Sequence, residues 1–164
     1  MIAHALEIVQ SLMLIGAANA APLLVARALR ARPARPIDAG IVLRDGHPLL
    51  GRSKTWRGIA SALVFATCVA VLIHLPWWLG AIVAVSAMAG DGLSSFFKRR
   101  RGLDPSSMML GLDQIPESLL PALVCTAYLS LSLIDVLAIV LLFSVGALAA
   151  SRVFFAVGLR DRPY

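Results

Sequence analysis

Charge is what this sequence has least of. Its 164 residues include nine Asp and Glu, fifteen Lys and Arg and three His, so 15% are charged, against roughly a quarter in ordinary globular domains. The length allows one domain, but so few charges cannot clothe it in water. Cysteine is nearly absent as well: Cys68 and Cys125 stand alone inside apolar stretches, which excludes a disulfide framework and a cysteine zinc site. There is no internal repeat, no low-complexity tract and no plausible catalytic His or Ser triad. A Walker A loop is missing too, which excludes a P-loop. The net charge of +6 does not mark a nucleic-acid binder, because its cations bunch between apolar blocks.

Those blocks dominate the chain. Hydrophobic residues make up 59% with a mean hydropathy of +0.84, above the about 45–50% apolar of soluble domains. The class is an integral, all-α membrane protein. The first block, 5–26, contains Glu7, Gln10, Asn19 and Pro22, and Arg27, Arg30, Arg32 and Arg35 follow it. A signal peptide carries its positive charge before the apolar region; this order predicts a retained span with its N-terminus outside. Asn19 and Pro22 read as a helix-packing amide and a tolerated kink that could border a site.

Residues 59–97 hold His74 and Asp91 as their only acidic or basic groups. One helix of that length would run roughly 58 Å, near twice a ~30 Å hydrocarbon core. The block therefore divides into two spans, with His74-Leu75-Pro76-Trp77-Trp78 as an interfacial turn. Residues 115–156 divide likewise near 130–135, with Asp135 as a helix cap. The expectation is a single domain, 1–164, with five transmembrane helices at about 5–26, 57–74, 77–97, 116–132 and 135–156. All fifteen Lys and Arg, Arg152, Arg160 and Arg162 included, then lie on one side or at its interface. That side is the cytoplasm, so the C-terminus, two loops and any site between them face it across the cell (inner or plasma) membrane.

Two polar segments break the pattern. In GDGLSSFFKRRRGLDPSSMMLGLDQ (90–114), Asp91, Ser95 and Lys98 fall at i, i+4 and i+7 on one helix face, and Asp113 adds a second acid beyond the basic cluster. A carboxylate inside a membrane helix costs about 2.5–3.5 kcal/mol, so a function or a partner is the default reading. In GRSKTWRG (51–58), Lys54, Thr55 and Arg57 stand where the second span begins, and a helix N-terminus with adjacent cations suits phosphate. Eight cations between Arg27 and Arg57 also anchor lipid headgroups, which accounts for part of the cluster.

GRSKTWRG, GDGLSSFFKRRRGL and LDQIPESLLP together resemble the CDP-archaeol synthase family of membrane cytidylyltransferases over roughly the whole chain, and more distantly the phosphatidate cytidylyltransferases. Met108-Met109-Leu110-Gly111 stands where archaeal members often carry a proline-containing stretch. The resemblance implies transfer of CMP from CTP to a membrane lipid phosphate in the bilayer, with release of pyrophosphate and with Mg²⁺. It makes Asp91 and Asp113 the metal carboxylates and Lys98 a catalytic cation. Lys54, Thr55, Arg57, Ser95, Lys98, Arg99 and Arg100 become nucleotide and phosphate binders, with Asp38, Asp45 and Gly46 in support. The chemistry agrees: two anions must be neutralised before in-line attack, and an already ionised nucleophile needs no general base. CTP and the lipid are the implied partners, nucleic acid is not, and a homo-oligomer is allowed.

Three other readings compete. A CDP-alcohol phosphatidyltransferase needs a later pair of aspartates that DGLSSFFKRRRG lacks. A CTP-dependent polyprenol or lipid kinase-like transferase would share CTP and Mg²⁺. A non-enzymatic lipid-binding or transport protein would tolerate Asp91→Ala.

Overall fold

The computed structural model describes residues 2–29, 32–103, 109, 111–156 and 158; Arg30, Met108, Leu110, Arg160 and Arg162 lie outside them. Five helices follow one another: α1 (Ile2–Ala28), α2 (Trp56–Leu72), α3 (Trp77–Arg100), α4 (Gln114–Thr126) and α5 (Leu133–Ala156), with no strand among the described residues. Three, α1, α3 and α5, are long and apolar enough to cross a membrane. α2 has 17 residues and α4 has 13. At about 1.5 Å per residue α4 is roughly 20 Å long, short of a full hydrocarbon core. It ends at Thr126, where the sequence predicts a span continuing to 132.

Local chemistry sets the boundaries. Thr55 caps α2, its hydroxyl accepting from the Gly58 N–H at 3.1 Å. The turn between α2 and α3 puts His74 in the left-handed region at φ 59, and Pro76 then begins α3. Before α5, Ser132 and Asp135 form a reciprocal capping box: the Asp135 carboxylate accepts from the Ser132 N–H, and the Ser132 hydroxyl accepts from the Asp135 N–H. α5 thus begins at Leu133, two residues ahead of the expected 135, and Asp135 caps it from within the first turn, with Ser132 before the helix. Its second partner is His4, 3.1 Å away at the start of α1. Gln10 donates to the Ile73 carbonyl, and Trp78 meets Tyr128 edge to face. The start of α1, the α2–α3 turn and the α4–α5 turn therefore share one end of the bundle.

α3 is the central element, packed against α1, α2 and α4. Its contacts use small residues: Ala18, Ala62, Ala66, Ala84 and Ala87 form one buried cluster, the close backbone approach typical of membrane helices. A larger cluster toward the end with the α2–α3 and α4–α5 turns joins Leu14, Ile15, Leu79, Val83, Val136 and Ile139. Outward faces stay apolar, with Leu72, Ile134 and Leu141 largely exposed, as lipid contact requires.

The segment joining α1 to α2 is folded rather than loose. Ile37 N–H donates to the Lys54 carbonyl at 2.9 Å and Trp56 N–H to Arg35. Leu43 donates to His47 and Leu49 to Ile41, closing a hairpin whose tip is the Asp45-Gly46 turn. Asp38 staples its base. One carboxylate oxygen accepts from Leu50 and Gly51 N–H, both at 2.9 Å, and the other from Gly40. Burial pushes this carboxyl up, but the N–H groups of Gly51, Leu50 and Gly40 outweigh it and hold Asp38 below the usual range.

Candidate functional site

Both polar segments arrive at the same place. The hairpin delivers Lys54 to the middle of the bundle end, where its ammonium pairs with the Asp91 carboxylate at 2.5 Å. Two turns further along the same face of α3, the Lys98 ammonium pairs with Asp113 at 2.7 Å, immediately before α4. Asp113 also accepts from the Met109 N–H at 2.9 Å. Lys98 reaches Asp91 electrostatically too, so two acids and two lysines form one continuous charged strip. All four side chains are at most 22% exposed. Ser95 is buried on the same face of α3, 4% exposed.

The arginines divide by task. Arg99 is 3% exposed and lies under Gly51, where a Cβ would sit 3.8 Å from its Nη1. Gly51 has φ +93, so its left-handed backbone and its neighbour both favour glycine. Arg100 is consumed by architecture: it pairs with Asp45, donates to the His47 and Pro48 carbonyls and lies 5.3 Å over the Phe96 ring. It ties the hairpin tip to the end of α3. Desolvation pushes Asp45 up, but the His47 N–H and the Arg100 charge outweigh it and keep the carboxyl low. Arg57 donates to the Leu29 and Arg32 carbonyls, and Thr55 is engaged as the α2 cap. Of the expected phosphate binders, Lys54 and Lys98 pair with the two acids and Ser95 shares their helix face, Arg99 lies against the Gly51 backbone, and Arg57, Thr55 and Arg100 hold backbone.

One acid was missed. Glu117, in the first turn of α4, brings its carboxyl within hydrogen-bonding reach of Asp91 and lies in the field of Lys54 and Asp113. A backbone contact enforces the meeting: a Cβ on Gly90 would collide with the Pro116 carbonyl and the Glu117 nitrogen. The sequence held two signals for it, an acid inside an apolar block and an i, i+4 spacing from Asp113.

A cavity of about 280 Å³ opens beside Lys54 and Asp91. Its walls come from Pro22 on α1, Ile59 on α2, Val85 and Met88 on α3, and Leu50 in the hairpin. Pro22 thus borders the site, whereas Asn19 donates to the Ile15 carbonyl of its own helix.

No group of three or more His, Cys, Asp or Glu side chains is arranged to hold a metal among the described residues. Mg²⁺, however, is usually held by one or two carboxylates plus substrate phosphates. Asp91 and Asp113, hard oxygen donors on either side of Lys98, fit that demand without further protein ligands.

Comparison with known proteins gives a consistent result. A family model described as CDP-archaeol synthase (CarS-like) matches residues 7–76 and 73–164. Two similar relatives are the CDP-archaeol synthases of Pyrococcus furiosus, 36% identical over 103 residues, and Hyperthermus butylicus, 35% identical over 105 residues. The matches cover 57% and 60% of this chain and 60% of each relative, so the chain spans about three fifths of the length of the curated relatives it matches. A solved intramembrane enzyme for archaeal membrane lipids biosynthesis superposes with a TM-score of 0.75 at 28% identity, covering 87% of this chain and 90% of that one.

Proposed function

The chain belongs to the CDP-archaeol synthase family, and from that premise and the two adjoining acid–lysine pairs we propose that it transfers CMP from CTP to a membrane lipid phosphate. A phosphate oxygen of the lipid attacks the α-phosphorus of CTP, the bond to the β-phosphate breaks, and pyrophosphate leaves with the electron pair. The lipid phosphate is already ionised at neutral pH, so the reaction asks the protein for charge neutralisation and alignment rather than a base. That demand agrees with a site made of lysines, an arginine and carboxylates.

The observation that carries this reading is the strip Lys54–Asp91 and Lys98–Asp113. Lys54 is placed to meet a phosphate arriving beside Asp91, and Lys98 one arriving beside Asp113. Arg99 supplies further positive charge under the Gly51 backbone. Mg²⁺ bound by Asp91 and Asp113 would offset charge on the CTP phosphates. In this assignment Arg100, Asp45, Asp38 and Thr55 hold the hairpin that presents Lys54, and Arg57 fixes the hairpin to the end of α1.

We further read all five helices as membrane-embedded, with the charged end in the cytoplasm of the cell membrane, because cations concentrate there. CTP would arrive from that side. The test is CDP-lipid formation from labelled CTP and a panel of lipid phosphates, against Mg²⁺ concentration. Asp91→Asn and Asp113→Asn should each abolish turnover; substantial turnover in either at saturating Mg²⁺ refutes the two-carboxylate assignment. Phosphorylation of a lipid alcohol without CMP incorporation would favour the kinase-like reading.

A further inference from the structure

The cavity beside Asp91 is polar at one end only. Lys54, Ser53 and Asp91 lie at its hairpin end, and Val85, Met88 and Ala89 extend it along α3. From Val85 to Gly92 is about 10 Å of helix. Val85 is 55% exposed and Ala89 is exposed as well, so the cavity runs out onto the outward face of α3. That face continues apolar through Ile82, 47% exposed. A Cβ at Gly92 would meet nothing within 4 Å, which keeps the cavity wide next to the acid.

We propose that this cavity seats the acceptor lipid: its phosphate at Lys54, and the first carbons of its hydrocarbon chain along Pro22, Ile59, Val85 and Met88. The inference rests on the cytidylyltransferase reading and assigns one substrate to one stretch of α3. The alternative occupant, the nucleotide, is disfavoured by the walls. A cytosine ring and ribose need hydrogen-bond partners when buried; beyond the hairpin end, with Ser53, Lys54, Thr55 and Asp91, the lining side chains offer none, whereas methylene groups need none. The open apolar mouth also meets the bilayer, so a lipid enters sideways without leaving hydrocarbon. CTP is then left the stretch two turns further along the same face of α3, at Lys98 and Asp113. The two phosphates then meet at Asp91, which both lysines reach.

The test is steric. Ala89→Trp and Val85→Trp should plug the mouth while standing on an outward face that tolerates bulk. Leu137→Trp, on the exposed face of α5, is the control. Both plugs should raise the apparent KM for a dialkylglycerol phosphate in mixed micelles by roughly tenfold, the equivalent of about two buried methylene groups. KM for CTP should change less than about twofold. A second arm omits CTP and measures the thermal shift given by the same lipid phosphate; wild type and Leu137→Trp should show it, and the plugs should lose it. Unchanged lipid KM in both plugs, or a rise in the CTP KM alone, overturns the assignment. Wild type that binds the lipid at this mouth yet makes no CDP-lipid would refute the reaction and leave the slot standing.

Discussion

Gly90 is the sharpest point at which to break the proposed site without touching a charge. α3 and α4 meet there backbone to backbone: a Cβ at position 90 would overlap the Pro116 carbonyl oxygen and carbon and the Glu117 nitrogen. None of these is the end of a flexible side chain, so Gly90→Ala must push α4 away from α3. Overpacking of this kind costs about 1–3 kcal/mol. The displacement also separates Asp91 from Glu117 and Asp113, and a misplacement of about 1 Å near the chemistry can cost roughly a hundredfold in rate. Two other helical glycines separate those effects. Gly80→Ala collides with the Ala66 backbone and Ala70 on α2, far from the acids, so it should lower thermal stability with a much smaller loss of turnover per folded molecule. Gly92→Ala meets open space and should stabilise the helix by up to about 1 kcal/mol. Thermal melts in detergent and CDP-lipid formation would be measured on all three. Wild-type melting and turnover in Gly90→Ala would refute the contact and the positioning argument built on it.

Three further outcomes follow from the same geometry. Lys54→Ala should cut CDP-lipid formation about a hundredfold or more, whereas Arg57→Ala should mainly loosen the hairpin and be partly rescued by Arg57→Lys, read as kcat and as proteolysis of residues 32–55. Glu117→Ala should lower kcat by about tenfold to a hundredfold with little change in melting, and Glu117→Gln should retain more because it still reaches Asp91; equal losses in both would make the negative charge itself the requirement. Asp38 has a folded-state pKa below its unfolded value of 3.8, so its contribution is present above that value and lost as pH falls through the folded one. Asp38→Asn should therefore destabilise the hairpin by about 1–3 kcal/mol at neutral pH, measured by amide exchange at Leu50 and Gly51, with the difference fading in acid.

How much of this the sequence disclosed depended on the range of the interaction. The starts of α2 and α3 were legible to within a residue, 57 against Trp56 and 77 against Trp77, because the polar run before Trp56 and Pro76 before Trp77 are local signals; α5 starts at Leu133 rather than 135 because Ser132 pairs with Asp135. The two acids and the lysines were legible because a charge in an apolar block is costly and stands out. The hairpin's internal order was hidden, since Asp38 acts on Leu50 and Gly51 across twelve and thirteen positions and no periodicity announces such a staple. Charge type likewise could not show which cations the architecture uses, or where. Arg99 and Arg100 are adjacent, yet one lies beneath the Gly51 backbone while the other is spent on Asp45 and two carbonyls. Successive helical residues point about 100° apart, so a run of four cations must face several ways, and only some can reach one phosphate. Glu117 shows the converse. Its spacing from Asp113 was visible, but its value depends on Gly90 letting two backbones touch, and glycine at position 90 reads in sequence as a mere weakness in a helix. The site is therefore specified as much by the side chain missing at Gly90 as by the carboxylates beside it.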